Sequence, residues 1–204
     1  MHTDIGEIYN HGDGKVPEEY DPKRLANTAP AVKAALKGMK DGDPDCVTVI
    51  NYCWWHTYYI EYLAAHGCEW DITGLDWYSD AENKSSALEV FDWLNNKFGN
   101  RPIMICETNW WAYLESDKSE EERQEMQEKF VCEFTEHLYK NAPDNFMGLI
   151  FYELMDEPAF EINHGTFHAE SHFGFVNCDR KGYEPKLKKV CNSLGETIKR
   201  ITAE

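Results

Sequence analysis

The 204-residue chain predicts an α/β fold of the (β/α)8 TIM-barrel type, incomplete, with about five βα units. Short apolar, strand-like runs alternate with segments of helical period, a pattern that implies a parallel sheet covered by helices. Neither G-x-G-x-x-G nor G-x-x-x-x-G-K-[ST] occurs, so the phosphate loop of an open, doubly wound sheet is missing. Polar or aromatic residues stand instead at the C-terminal end of every strand: Glu7, His56 after Trp54-Trp55, Asp76 and Tyr78, Glu107, and Glu153. A barrel gathers such ends into one mouth.

The elements follow in order. Thr3-Asp-Ile-Gly-Glu-Ile8 reads as the first strand. Asp21-Pro22 is an N-cap followed by proline at the first helical position. Leu25, Ala29, Val32, Leu36 and Met39 then recur at helical spacing, Pro30 is expected to bend the helix, and Asp41-Gly-Asp-Pro44 stops it. Cys46 to Tyr52 is rich in β-branched residues and reads as a strand. It leads through Trp54-Trp-His56 to a short helix carrying Tyr59, Ile60 and Leu63 and ended by Gly67. Asp71-Ile-Thr-Gly-Leu-Asp-Trp-Tyr78 is the third strand, followed by a helix over 86–98 with a Ser86…Glu89 capping box and Gly99 as its stop. After the strand ending at Glu107, Ser119…Glu122 opens a helix that buries Met126, Phe130, Phe134 and Leu138. Phe146 to Tyr152 is the fifth strand. A long irregular loop precedes a final helix from about Pro185, with Leu187, Val190, Leu194, Ile198 and Ile201 on one face. No linker, low-complexity tract or internal repeat interrupts the pattern, so residues 1–204 read as one domain.

A net charge of −17 argues against nucleic acid or an anionic membrane surface, both of which select clustered Lys and Arg. It suits a neutral polysaccharide. No apolar run approaches the roughly 18 residues of a membrane span, and residues 1–20 lack a basic-then-apolar signal pattern. The 7 cysteines have no repeated C-x-x-C and read mostly as reduced or buried thiols, with one or two disulfides left open.

Glu107 ends the apolar run Pro102-Ile-Met-Ile-Cys-Glu107 and is followed by Thr108-Asn-Trp-Trp111. A strand interior takes Ile and Met, and tolerates a charge where the strand emerges at the C-terminal face. Tandem tryptophan beside that carboxylate offers flat apolar faces for pyranose rings. Trp54, Trp55, Trp77, Trp110 and Trp111 are therefore candidate sugar platforms, with one of each tandem pair facing the cleft. His56 is a candidate contact to substrate or carboxylate. Glu153, Asp156 and Glu157 crowd after the fifth strand and are candidates for binding sugar hydroxyls or a cation, with Glu153 as the substrate-binding candidate. His164, His168 and His172 recur every four residues, but Gly165 and Phe167 among them and the lack of companion cysteines argue against a metal site. No metal or cofactor is expected. Asn83-Lys-Ser85 is a glycosylation sequon.

Four segments together resemble a family. Ile5-Gly-Glu-Ile-Tyr-Asn10, Asp71 to Tyr78, Ile105-Cys-Glu-Thr-Asn-Trp110 and Phe151-Tyr-Glu-Leu-Met-Asp-Glu-Pro158 are similar to barrel strands four, six, seven and eight of clan A retaining glycoside hydrolases. His172-Phe-Gly-Phe-Val-Asn-Cys-Asp179 followed by Glu184-Pro-Lys186 is similar to the way several of those barrels end. The resemblance implies a retaining β-glycosidase, or a fragment of one, acting on plant cell-wall-type polysaccharide. It makes Glu107 the nucleophile, Glu7 the acid/base, and Tyr78 the tyrosine that donates a hydrogen bond to the nucleophile. It also implies a chain that begins at strand four, a missing N-terminal segment or partner chain that completes the barrel, and a secreted parent.

One departure concerns Glu7: Gly6 precedes it directly where the clan has Gly-Asn-Glu, by substitution or by a one-residue deletion. A catalytically inactive carbohydrate-binding remnant is the alternative reading. A metal-dependent, sugar-isomerase-like barrel using Glu107, Asp76 and His56 is a third.

Overall fold

A computed structural model of the protein describes residues 8, 12–78, 86–110, 117–178 and 185–203. The chain divides into two compact units: Met1–Asp76, Glu89–Cys106 and Asp144–Gly148 form one, and Trp77–Leu88, Glu107–Pro143 and Leu149–Glu204 form the other. Four strands make one sheet in the order β1-β2-β3-β4: β1 (Val49–Cys53), β2 (Ile72–Asp76), β3 (Ile103–Thr108) and β4 (Phe146–Phe151). The expected strand over residues 3–8 lies outside the described residues, except for Ile8, which is buried and accepts the Asp21 N–H at 2.8 Å.

In the first unit, α1 (Pro22–Gly42) starts where the Asp21 carboxylate accepts the Arg24 N–H at 2.8 Å. Leu25, Ala29, Val32 and Leu36 are buried as the spacing predicts, but Met39 is half exposed. The next place on that stripe belongs to Lys40, which pairs with Asp71 at 2.8 Å. β1 begins at Val49 rather than Cys46 because Thr48 gives its N–H and hydroxyl to the Asp71 carboxylate, at 2.8 and 2.9 Å, instead of to a ladder. β1 and β2 run parallel, in register from Val49↔Ile72 to Cys53↔Asp76. α2 (Thr57–Ala65) buries Tyr59, Ile60 and Leu63, and Gly67 ends it at φ +75°. Every residue of β2 is buried, and Gly74 is obligatory there: a Cβ would lie 2.5 Å from Cys106 Sγ and 2.8 Å from Asn51 Cβ. α3 (Ser86–Phe98) packs Phe91 on Phe146, ring centres 5.2 Å apart.

In the second unit, α4 (Glu120–Asn141) opens with the predicted capping box: Ser119 N–H and Oγ donate to Glu122 Oε2 at 2.8 Å each, and Glu122 N–H returns to Ser119 Oγ at 3.3 Å. Its buried stripe is Gln127, Val131, Phe134 and Leu138, so its first half lies one residue round from the expected Met126 and Phe130. α5 (Ala159–His164) and a 3-10 turn over Ala169–His172 organise the long loop after β4. The last helix, α6 (Lys189–Thr202), begins later than expected. The residues before it pair as a two-stranded antiparallel ribbon, β5 (Val176–Asn177) with β6 (Lys186–Leu187). Leu187 therefore stands in solvent, Ile198 is exposed as well, and the helix buries Val190, Thr197 and Ile201 against α4. All seven cysteines are free thiols, and no described helix is long and apolar enough to cross a membrane.

Candidate functional site

The second unit begins at the C-terminal ends of β2, β3 and β4. Trp77 N–H donates to the Glu107 carbonyl at 2.8 Å, and Tyr152 N–H donates to the Thr108 carbonyl at 3.1 Å, which fixes the spacing of the three strand ends. From that frame the Tyr78 hydroxyl reaches Glu107 Oε2 at 3.0 Å. Phe173, buried, touches both neighbouring tyrosines, its ring centre 5.5 Å from Tyr78 and 5.7 Å from Tyr152. Glu107 is half-buried.

Asn109, two residues past Glu107, is fully buried and clamps the structure behind it. Its amide donates to the carbonyls of Tyr152 and Phe173, at 2.6 Å each, while Gln127 Nε2 donates to Asn109 Oδ1 at 3.2 Å and to the Phe173 carbonyl at 3.0 Å. The end of β3, the end of β4 and the loop at Phe173 are thus locked through one side chain. Gly174 lets the loop pass: a Cβ there would sit 2.0 Å from Asp156 N.

Beyond β4 the carboxylates are dense. Burial, reinforced by Glu157, Asp156 and Glu170, pushes Glu153 up to about 7, and its Oε1 is buried without a hydrogen-bond partner. Burial raises Glu170 as well, opposed by His168 and reinforced by Glu157 and Glu107. Asp156 is paired with Lys188 at 2.7 Å, and both side chains are almost wholly inaccessible. Burial lifts the Asp156 carboxyl while Lys188 holds it down. The three histidines have these partners. His164 and His168 stack at 5.0 Å, His168 stacks on Phe160 at 4.9 Å, and His172 Nε2 lies 2.7 Å from Glu161 Oε1. Among the described residues no group of three His, Cys, Asp or Glu side chains is placed to hold a metal ion.

Trp77 and Trp110 are core residues, 1% and 8% exposed, so their rings pack into the protein interior rather than lining a cleft as platforms. The hydrophobic gain from burying an indole outweighs its display on a strand end that is itself covered. Trp54, Trp55 and His56 belong to the first unit. Trp54 adopts φ +51° and donates its N–H to the Asp76 carbonyl at 3.1 Å; the Lys15 ammonium sits 4.2 Å over the Trp55 ring. His56 Nδ1 lies 3.0 Å from the Tyr20 hydroxyl, and burial lowers its pKa against the opposing pull of Glu19. Asp76 accepts from Asn51 Nδ2 at 2.7 Å. Glu7, Trp111 and the sequon at Asn83 lie outside the described residues.

No family model matches the sequence, and no curated protein is similar to it in sequence. Solved structures are similar to it in fold. A thermostable mutant of a xylanase from Cellvibrio japonicus superposes with TM-score 0.64 at 12% identity, over 94% of this chain and 63% of that one. A double mutant of the β-glucosidase from Trichoderma harzianum gives 0.58 at 13%, over 94% and 62%. The GH53 catalytic domain of Ignisphaera aggregans gives 0.56 at 17%, over 75% and 49%. The fold is part of a (β/α)8 barrel. The resemblance to clan A glycoside hydrolases holds at the level of fold, and the chain spans 49–63% of the length of these barrels.

Within this partial barrel, Asn109, Gln127, Phe173 and Glu170 were not read from the sequence as site residues. Asn109 had a signal, since it stands inside the Glu107 motif. Gln127 had none: a glutamine on a charged helix is expected in solvent, and only the two carbonyls it meets explain its burial.

Proposed function

We propose that the chain contributes barrel strands four to eight of a retaining β-glycosidase, with Glu107 as nucleophile and Glu7 as acid/base. The observation that carries the reading is the hydrogen bond from Tyr78 to Glu107 Oε2, 3.0 Å, at the C-terminal ends of parallel strands. A hydrogen-bond donor on one oxygen of a carboxylate fixes the orientation in which that carboxylate meets the sugar. In the first step Glu107 forms a bond to the anomeric carbon while the glycosidic C–O bond breaks and Glu7 protonates the leaving oxygen. In the second, Glu7 takes a proton from water, and the water oxygen displaces Glu107 from the sugar. The two carboxyls must rest in opposite protonation states for this sequence.

The substrate class in this reading is a neutral plant cell-wall-type polysaccharide such as galactan, xylan or mannan, in keeping with a net charge of −17. The parent enzyme is a secreted protein with one barrel domain, and further βα units of the same polypeptide or of a partner chain close the barrel. The test is trapping with a 2-deoxy-2-fluoro aryl β-glycoside and mass spectrometry of the digest. The adduct is expected on the peptide bearing Glu107 and absent from Glu107→Gln; an adduct elsewhere overturns the assignment.

The inactive carbohydrate-binding reading is favoured by the Gly6-Glu7 departure. It predicts that wild type and Glu107→Gln bind oligosaccharide alike and neither turns it over. A retaining enzyme loses turnover in Glu107→Gln alone.

A further inference from the structure

The N-terminal edge of the sheet in the first unit holds a groove of about 760 Å³, lined by α1 and by the segments that lead into β1, β2 and β3. Its charged lining is Lys33, Lys37, Lys40 and Arg101 against Glu69 and Asp71, four cations to two acids, in a chain whose net charge is −17.

Two of the four are committed. Lys40 pairs with Asp71 at 2.8 Å, and that hydrogen bond, with the Thr48 donors, holds the Asp71 carboxyl down at about 2. Lys37 pairs with Asp41 on the solvent side of α1. The other two are not. Lys33 has no ion pair among the described residues, and its Nζ lies against Gly67, where a Cβ would come within 2.8 Å of it. The Arg101 guanidinium lies 4.4 Å over the Trp70 ring and 5.6 Å over Phe98, and its Nη1 is buried with no hydrogen-bond acceptor. Trp70 sends its own N–H to Thr73 Oγ1 at 2.9 Å, so toward the arginine it is only a flat apolar wall.

A guanidinium held flat on an aromatic ring keeps its charge and its donors in a fixed place, and arginine is suited to phosphate oxygens. We propose that this groove binds a phosphate group, with the Arg101 guanidinium fixed on Trp70 as one charge and Lys33 as the second. With Lys40 neutralised by Asp71 and Lys37 by Asp41, the remaining Lys33 and Arg101 outweigh Glu69, so the groove attracts an anion. The exposed Glu69 stands in the same lining and disfavours ligands that carry further negative charge. This site is independent of the glycosidase reading, since it uses none of that reading's residues.

The experiment is a titration of the full 204-residue chain with inorganic phosphate at constant ionic strength, followed by the Arg101 Nε–H, Trp70 indole and Gly67 amide resonances. Saturable shifts confined to these groups are expected. Arg101→Gln should weaken binding about tenfold or more, the loss of a charged hydrogen bond, and Lys33→Met should weaken it several-fold. Lys33 is exposed, so its variant keeps the proposal open to refutation even if Arg101→Gln fails to fold. Methyl phosphate in a parallel arm separates the sources: equal affinity points to a phosphate monoester, and binding of inorganic phosphate alone points to the free ion. Shifts that chloride reproduces, or saturable shifts that neither variant weakens, mean an adventitious ion only and overturn the site.

Discussion

Tyr78 and Glu107 stand at the ends of β2 and β3, and the tyrosine hydroxyl donates to Glu107 Oε2 at 3.0 Å. The ring that places this hydroxyl is backed by Phe173, whose backbone carbonyl is held by Asn109 and Gln127. A carboxylate, its donor and the support of that donor therefore form one connected unit.

Removing the donor tests its role. Tyr78→Phe in the active enzyme is expected to lower kcat about 10- to 100-fold, the worth of a hydrogen bond to a charged group. An unchanged kcat would assign Tyr78 to packing alone.

Asn109→Ala strands the Tyr152 carbonyl and removes one of two side-chain donors from the Phe173 carbonyl, which Gln127 still reaches at 3.0 Å. The expected loss is about 1–3 kcal/mol in urea unfolding, the cost of an unsatisfied buried group. Asn109→Asp should destabilise as well, since a carboxylate cannot donate to the Tyr152 and Phe173 oxygens. A loss well under 1 kcal/mol in both would mean that the loop holds without the clamp.

Lys188→Met leaves the Asp156 carboxylate buried and uncompensated, at a cost of about 3–5 kcal/mol. Pairing it with Asp156→Asn should recover most of that loss, because the pair stabilises chiefly by cancelling two desolvated charges. Chemical denaturation of the two single variants and the double variant gives the coupling directly.

Glu153 sets a pH dependence of definite sign. Its folded pKa of about 7 lies above its unfolded value, so the folded state binds the extra proton. The stability linked to this group is fully present below the unfolded carboxylate pKa of roughly 4.3 and is lost as pH rises through about 7. Glu153→Gln should flatten the stability profile across that window and gain most, relative to wild type, on its alkaline side. A parallel pair of profiles would show that Glu153 does not carry the dependence.

Gly174→Ala drives a methyl into backbone, 2.0 Å from Asp156 N and 2.3 Å from Met155 C. Neither atom is the end of a flexible side chain, so a destabilisation of about 3 kcal/mol or more is expected in thermal or urea unfolding. Gly99→Ala meets no neighbouring atom and serves as the comparison, its cost arising only from φ +67°.

Residue order alone carries the local features, because each rests on neighbours in the chain. Apolar runs mark the strands, Asp21-Pro22 and Ser119…Glu122 mark helix starts, and Gly67 and Gly99 mark the stops. Period and polarity at strand ends also suffice to single out Tyr78 and Glu107 and to suggest a partial barrel. Three-dimensional placement carries what depends on partners far along the chain. Met39 is exposed because Lys40 takes its place toward Asp71, and Gln127 is buried because Phe173 and Gly174 present carbonyls to it. Trp77 and Trp110 are core rather than platform because neighbouring strands and loops cover them, and Arg101 lies over Trp70 from thirty-one positions away. Burial and desolvation are properties of surroundings, and a one-dimensional pattern records a side chain's own chemistry but not what surrounds it.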